Sequence, residues 1–330
     1  MITNKMRRRD FIFLIGVTSF AVSCPAKARD VPALLGFLGS GAADSSAILL
    51  DAFKEGLQDQ GLVENRDYVL DVHWANGAYK RFPEFARDLA QRNPSLIMVT
   101  TIAAARAAQA LNSQIPIVMT GLIDPIGAGL IDSLARPGGH TTGISSMIQD
   151  LTTKSLEFLH DAVPGASVIA VLFNPANPTN QPMLEEAITR GRTMGLALEA
   201  VPFKSPAELD ATFDRVIKTR PDGLLVISDA TLIDLRDRIA ELALRARIPT
   251  SSSIPEMTDA GALIGYGPPR RTFYRRSAVY VKKLLNGAKP ADLPVEQPVL
   301  FELSVNLRTA RALDVTVSGA MLARADRVVE

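Results

Sequence analysis

Val168-Ile-Ala-Val-Leu-Phe-Asn-Pro-Ala-Asn-Pro178 is a run of six apolar residues that breaks into an Asn/Pro turn. An amphipathic stretch over residues 183–194 follows, closed by Gly195, and then a second apolar run over 198–203. An unbroken apolar strand does not alternate because both of its faces are covered, and strand, helix, strand in that order is the unit of a parallel sheet. The alternation continues downstream. Residues 206–218 read as a helix, 223–228 as a strand, 233–245 as a helix, and 248–252 and 262–266 as strands. A helix over 272–285 is closed by Gly287 and Pro290. Upstream the same pattern has already run once. Residues 33–38, 68–74, 95–100 and 115–119 read as strands, and 45–60, 82–92 and 103–111 as helices. In the first of these helices Leu49, Phe53 and Leu57 fall at i, i+4 and i+8 on one face. Two successive doubly wound α/β units follow from this order.

The length and composition agree with that organisation. At 330 residues the chain suits two domains or lobes, and it buries a sizeable core without disulfides or metals. One Cys and three His exclude a disulfide framework and a Cys-rich zinc site. With 22% charged residues, 6% aromatic residues and a net charge of +1, it is neither a disordered chain nor a basic nucleic-acid binder. The near-zero charge hides a split. Residues 1–28 hold Lys5, Arg7, Arg8, Arg9 and Lys27 against Asp10 alone, which leaves a net charge of −3 on the rest. A basic start, an apolar run over 11–22 and the small-x-small end Ala26-Lys27-Ala28 read as a secretory signal peptide, so a periplasmic destination is expected. Arg8-Arg9-Asp10-Phe11-Ile12 fits a twin-arginine signal, which implies export after folding. Cys24 is a candidate lipidation cysteine, with Ala21 where Leu is usual three positions earlier.

In doubly wound sheets, ligands sit beyond the carboxyl ends of the strands. Five loops are selected by that rule: 39–42, 100–103, 121–125, 174–179 and 228–231. Several carry hydroxyl, Asn or Asp side chains just before a helix, where free N–H groups and hydroxyls hold a carboxylate well. Helix capping is the competing role for Ser40, Thr101, Asn174 and Asp229. Enzyme motifs are missing. There is no phosphate-binding G-x-x-x-x-G-K-[ST], no G-x-S-x-G elbow, no Cys beyond the leader, and no metal-ligand spacing among His73, His140 and His160. Neither a cofactor nor a metal is expected. Gly127-Ala128-Gly129 reads as helix-start packing, and Arg270-Arg271…Arg275-Arg276 as a solvated helix face. An exported two-lobed protein with a polar cleft and no catalytic set reads most simply as a binding protein whose lobes close on a small molecule.

The chain resembles the substrate-binding proteins of ABC transporters of the tryptophan/tyrosine type. The residues that carry the likeness include Met6-Arg-Arg-Arg-Asp-Phe11, Leu35-Gly-Phe-Leu38, Trp74-Ala-Asn-Gly-Ala-Tyr79, Asp124-Pro125 with Gly129-Leu130, and Arg136-Pro-Gly-Gly-His-Thr-Thr-Gly143. Further on come Asn174-Pro-Ala-Asn-Pro178, Tyr266-Gly267-Pro268 and the tail from Gly287-Ala-Lys-Pro-Ala-Asp-Leu-Pro-Val-Glu-Gln-Pro298 to Asp326. The resemblance implies a type I periplasmic-binding-protein fold: two doubly wound parallel-sheet lobes joined by a hinge of three crossovers. It places the first lobe at residues 29–148 and 258–290 and the second at 149–257 and 291–330, after a signal peptide at 1–28. It further implies ligand contacts from Ser40, Gly41, Thr101, Asp124, Asn174, Asn177 and Asp229. Ser40 and Thr101 would hold a carboxylate, and Asp229 or Asp124 an ammonium. After Ile248-Pro249, where many relatives have a tyrosine and then an Arg-Glu-Phe run, this chain has Ser251-Ser252-Ser253-Ile254-Pro255-Glu256-Met257. That departure weakens the expectation of a large aromatic ligand and leaves a small acid or amino acid.

The partners expected on this reading are that ligand, an inner-membrane permease and, through it, an ATPase, with no nucleic acid. A periplasmic receptor that signals to a sensor kinase without transport is the alternative. An exported enzyme is opposed by the missing nucleophile and base, and a DNA-binding regulator by the signal peptide standing where a headpiece would be.

Overall fold

The computed structural model describes residues 31–111, 114–146 and 148–330. The expected signal peptide, with its arginine pair and Cys24, lies outside the described residues.

The first part of the chain runs β1 (Ala33–Gly39), α1 (Ala43–Asp59), β2 (Tyr68–Trp74), α2 (Phe82–Gln91), β3 (Leu96–Val99), α3 (Ile102–Gln109), β4 (Ile117–Ile123) and β5 (Thr141–Ser146). Its five strands are all parallel and lie in the order β2-β1-β3-β4-β5. Both faces of this sheet are apolar, as unbroken hydrophobic strands require. Leu35 and Phe37 pack with Leu49, Phe53 and Leu57 of α1, while Leu38 and Val99 pack with Phe85 and Leu89 of α2 on the other side.

The second part runs α4 (Ile148–Ala162), β6 (Val168–Phe173), α5 (Asn180–Thr193), β7 (Ala197–Pro202), α6 (Leu209–Lys218), β8 (Gly223–Val226), α7 (Ala230–Asp234), α8 (Arg236–Arg245), β9 (Thr250–Ser252), α9 (Met257–Ala260) and β10 (Ile264–Gly267). After α10 (Arg270–Leu285) come β11 (Glu302–Asn306), α11 (Leu307–Leu313), α12 (Gly319–Arg324) and β12 (Arg327–Val329). The second sheet has seven strands in the order β12-β11-β10-β9-β8-β6-β7, and only the β10–β11 pair is antiparallel. Read from β7, it repeats the 2-1-3-4-5 order of the first sheet and adds two strands.

The chain crosses between the sheets three times, and two of the crossings fall later than expected. Residues 258–267 belong to the second sheet, because β10 pairs with β9 and β11; the return to the first sheet begins only at α10. That helix lies against α1, where the absence of a side chain at Gly56 allows contact. A Cβ there would sit 2.2 Å from the carbonyl oxygen of Arg275. Residues 293–296 likewise stay with the first sheet. Val295 N–H donates to Leu134 (2.7 Å), Glu296 N–H donates to Gly143 (3.0 Å), and Glu296 bridges Ile144. Only beyond them does the chain rejoin the second sheet. The crossings therefore follow β5, then fall over residues 267–270 and 296–302.

Two strands are built from hydroxyls. All six residues of β5, Thr141-Thr-Gly-Ile-Ser-Ser146, are buried, and so are Thr250-Ser-Ser252 of β9. Three of their hydroxyls bond to main-chain carbonyls: Thr142 to Leu293 (2.7 Å), Ser251 to Ser155 of α4 (3.0 Å) and Ser252 to Val226 of β8 (3.0 Å). The serines that replace the expected aromatic after Pro249 thus tie β9 to its neighbours. Among the described residues no helix is long and apolar enough to cross a membrane.

Candidate ligand-binding site

A 2-1-3-4-5 sheet has its switch point between strands 1 and 3, and the crevice lies outside their carboxyl ends. Here the switch points are β1/β3 and β6/β8. The loops that leave those strands face each other across a cavity of about 100 Å³. All five loops singled out from the sequence reach it: through Ser40, through Thr100 and Thr101, through Gly121–Ile123, through Asn177 and Thr179, and through Ser228–Ala230.

The first lobe supplies a hydroxyl wall. Ser40 N–H donates to the Thr100 hydroxyl at 3.1 Å, and the two hydroxyls lie 3.3 Å apart. Thr101 is the N-cap of α3, its hydroxyl accepting from Ala104 N–H at 3.3 Å. Thr120 shares a hydrogen bond with Ser277 of α10 (3.0 Å). Next to Thr120, Gly121 sits at φ +69°, where β4 bulges. A Cβ there would stand 2.7 Å from the Phe273 ring, so the bulge makes room for an aromatic wall.

The second lobe supplies a network centred on Asp229, which is buried and caps α7. Its Oδ1 accepts from Thr231 N–H (2.9 Å), Leu232 N–H (3.3 Å) and Asn174 Nδ2 (3.2 Å). Its Oδ2 accepts from Asn177 Nδ2 (3.0 Å) and from the Tyr79 hydroxyl (2.7 Å). Tyr79 belongs to the first lobe, so this last bond spans the cleft. Burial, followed by the neighbouring Asp229 charge, holds its phenol well above the ordinary range.

A second cross-cleft tie joins Asp234, the last residue of α7, to the start of α1. Asp234 Oδ2 accepts from Ala42 N–H at 2.8 Å, and Oδ1 accepts from the Ser45 hydroxyl. Burial raises its carboxyl above the usual carboxylate range, and the bonds from Ser45 and Ala42 only partly offset this. The two lobes also meet at Gly77, φ +74°, where a Cβ would stand 2.2 Å from the Thr231 hydroxyl.

Four of the seven residues implied by the resemblance, Ser40, Thr101, Asn177 and Asp229, line the cavity. The other three do not. Gly41 lies behind the wall, against Ser46 and Asp234. Asn174 is one layer out, holding Asp229. Asp124 stands in the left-handed region at φ +42°, exposed beside a neighbouring depression, with Oδ1 bonded to Gly127 N–H at 2.9 Å. Thr101 and Asp229 also do the capping work that was the competing reading.

Sequence reasoning missed the contribution of α10. Arg271, Arg275 and Arg276 pair with Glu55, Asp59 and Glu296 at the surface, as a solvated helix face does. Arg270 is different. It opens the helix at the cavity edge, and Phe273 and Tyr274 follow it into the lining. Burial pushes the Tyr274 phenol up to about 12. The Arg270 Nε is buried without a hydrogen-bond partner, and Glu256 Oε2 stays 4.0 Å away from it. An Arg two residues after the Pro268 crossover was the available signal.

Comparison with known proteins identifies the family and the fold. The sequence profile of the family described as ABC transporter substrate binding protein matches residues 42–329. The chain belongs to that family. The tyrosine-binding protein of Clostridioides difficile is 24% identical to this ABC substrate-binding protein, over 80% of this chain and 77% of the relative. A domain from Streptococcus pneumoniae, solved in complex with L-Trp, superposes with a TM-score of 0.82 at 22% identity, covering 90% of this chain and all of that one (100%). A ligand-free, open structure of a substrate-binding protein with adhesive properties from Clostridium difficile gives a TM-score of 0.63 at 20% identity, over 90% of this chain and 99% of that one. These likenesses establish the type I periplasmic-binding-protein fold.

Proposed function

We propose that this substrate-binding protein is the exported solute-binding subunit of an importer. It captures a small carboxylate or amino acid between its lobes in the periplasm and hands it to an inner-membrane permease driven by a cytoplasmic ATPase. The observation that carries this reading is the cavity at the paired switch points, walled by hydroxyls, Arg270 and two aromatic rings and bridged by the Tyr79–Asp229 and Asp234–α1 hydrogen bonds. Those bridges join elements on either side of a three-segment hinge, which is what a domain that closes on its ligand needs. Two relatives bear names or bound ligands of the same chemistry, tyrosine and L-Trp.

The test is thermal unfolding of residues 29–330 against amino acids and small organic acids. A ligand at ~1 mM with a micromolar dissociation constant adds about 4 kcal/mol of stability. At roughly 2–4 °C per kcal/mol, the shift is easily read. A stabilising hit recovered chemically unchanged is the expected result. Turnover of the hit, or silence across the panel, would overturn the proposal.

A further inference from the structure

The two ends of the cavity differ. On the α3 side it runs into the depression beside Asp124, about 180 Å³, with which it shares Ile102, Ile123 and Thr179. On the hinge side lies a separate, largely apolar hollow of about 160 Å³. It is lined by Pro268 and Pro269 of one crossing and by Pro298, Val299 and Leu300 of the next. Among the described residues, Phe273 alone belongs to both linings, so its ring is the partition between them. Resting on the solute-binding reading, we propose that Phe273 is the specificity-determining residue of the site. It closes the inner end of the cavity and restricts the solute to an amino acid with an aliphatic side chain.

The partition is held in place. Phe273 is buried, and its ring packs on the bare backbone of Gly121 at the β4 bulge. The Ser277 hydroxyl donates to the Phe273 carbonyl (2.8 Å) and shares its bond with the Thr120 hydroxyl (3.0 Å), which ties the start of α10 to β4. Turning the ring aside would empty the notch at Gly121 and forfeit the dispersion contacts made there.

Size then decides the class of side chain. An apolar cavity of ~150 Å³ holds a benzene ring. The cavity here is smaller, about 100 Å³, and part of its wall is the hydroxyl row and the Asp229 network, which suit the α-carboxylate and α-ammonium. Leu122, Ile233, Phe273 and Tyr274 remain to receive a side chain. The hollow behind Phe273 is large enough for a ring, but the partition withholds it. The outer depression is no substitute for an apolar ring, because the charged side chains of Arg106 and Asp124 stand exposed there.

The experiment titrates residues 29–330 calorimetrically with L-alanine, L-valine, L-leucine, L-phenylalanine, L-tyrosine and L-tryptophan. The expected result is that one of the three aliphatic amino acids binds about tenfold or more tightly than any of the aromatic three. Phe273→Ala joins the hollow to the cavity and should move the aromatic-to-aliphatic affinity ratio by about tenfold or more toward the aromatic members. Phe273→Leu, a smaller truncation that puts less of the fold at risk, should move it the same way and less. Val299→Ser, at the exposed rim of the hollow, should leave the ratio unchanged, and melting curves confirm that the variants fold. An aromatic member that matches the best aliphatic one in wild type, or a ratio unmoved in both Phe273 variants, would overturn this inference and leave solute binding standing. Binding of none of the six while another acid of the wider panel stabilises the protein would do the same. Silence across the six and the wider panel would overturn both.

Discussion

Replacing Tyr79 with Phe removes one oxygen and, with it, the hydrogen bond that reaches Asp229 across the cleft. The ring itself should stay in place, because it is stacked on Phe82 with centroids 6.0 Å apart and planes 12° apart. Asp229 keeps its four donors from its own lobe, so that lobe should not come apart. The loss therefore falls on the closed arrangement relative to the open one. A hydrogen bond to an ionised group contributes about 1.5–3 kcal/mol. At 1.4 kcal/mol per tenfold change, that moves the closed-to-open ratio by roughly 10–100-fold toward open. Small-angle scattering reads the change directly as a larger radius of gyration, and the dissociation constant of any ligand that needs closure should rise by up to the same factor. Thermal unfolding should change little by comparison. A variant with an unchanged scattering profile and unchanged affinity would refute the idea that this bond holds the lobes together.

Three further outcomes follow from other contacts. Gly56→Ala places a methyl group against the Arg275 carbonyl; overpacking costs about 1–3 kcal/mol and exceeds the ~1 kcal/mol that Ala gains over Gly in a helix, so the melting temperature should fall. A rise would mean that α1 and α10 shift apart freely. Asp222 accepts from Ser167 N–H (2.7 Å), Val168 N–H (3.0 Å) and the Ser167 hydroxyl (3.1 Å), and the two backbone bonds foremost hold its carboxyl below the ordinary 3.8. Its stabilisation is therefore present above pH 3.8 and is lost as pH falls through the lower folded value. Asp222→Ala should melt earlier than wild type at pH 7, with the gap closing in acid; a gap independent of pH would contradict this. Asp234 has the opposite sign. Its folded carboxyl titrates above 3.8 because of burial, so wild type loses stability as pH rises from 3.8 through the folded value. Asp234→Asn should gain on wild type over that same window, and melting temperatures measured from pH 3.5 to 7 would show the gain or its absence.

The alternation of strands and helices and the loops that face the cleft were legible because their signals are strong and local. Unbroken apolar runs such as Leu34–Leu38 and Val168–Phe173 give no alternation, and the helices between them carry clear apolar faces. The rule that ligands sit beyond the carboxyl ends of such strands then selected the loops that carry Ser40, Thr101, Asn177 and Asp229, and the family resemblance singled out those residues within them. Between residues 120 and 167, and after 285, that signal fades. Strand β5 is buried yet consists largely of Thr, Ser and Gly; the Thr142 hydroxyl is taken up by the Leu293 carbonyl, a bond only the fold supplies, while Ser146 Oγ is buried without a partner among the described residues. Gly143 takes φ +128° with its missing Cβ 2.3 Å from the Met119 carbonyl, a closeness no periodicity reveals. Strands β11 and β12 are short and join the sheet from far along the chain. The boundary expected at residue 258 failed because β10 pairs on both edges within the second sheet. Arg270 was hidden by company: four arginines in seven residues read as one exposed face, and only the crossing of α10 over α1 turns the first of them toward the cavity. Asp124 presents the reverse case, an acid in a selected loop whose left-handed backbone and bond to Gly127 accompany an exposed position.

The central claim is that solute binds between the two sheets at their switch points. A crystal structure of this substrate-binding protein with the tightest binder of the panel tests it most directly. The account predicts ligand density that touches Ser40 or Thr101 on one side and the Asn177–Asp229 wall on the other. Density in the charged groove between α1 and α10, a larger hollow of about 480 Å³ lined by Glu55, Asp59, Arg271 and Arg275, with the cleft left unfilled, would contradict it.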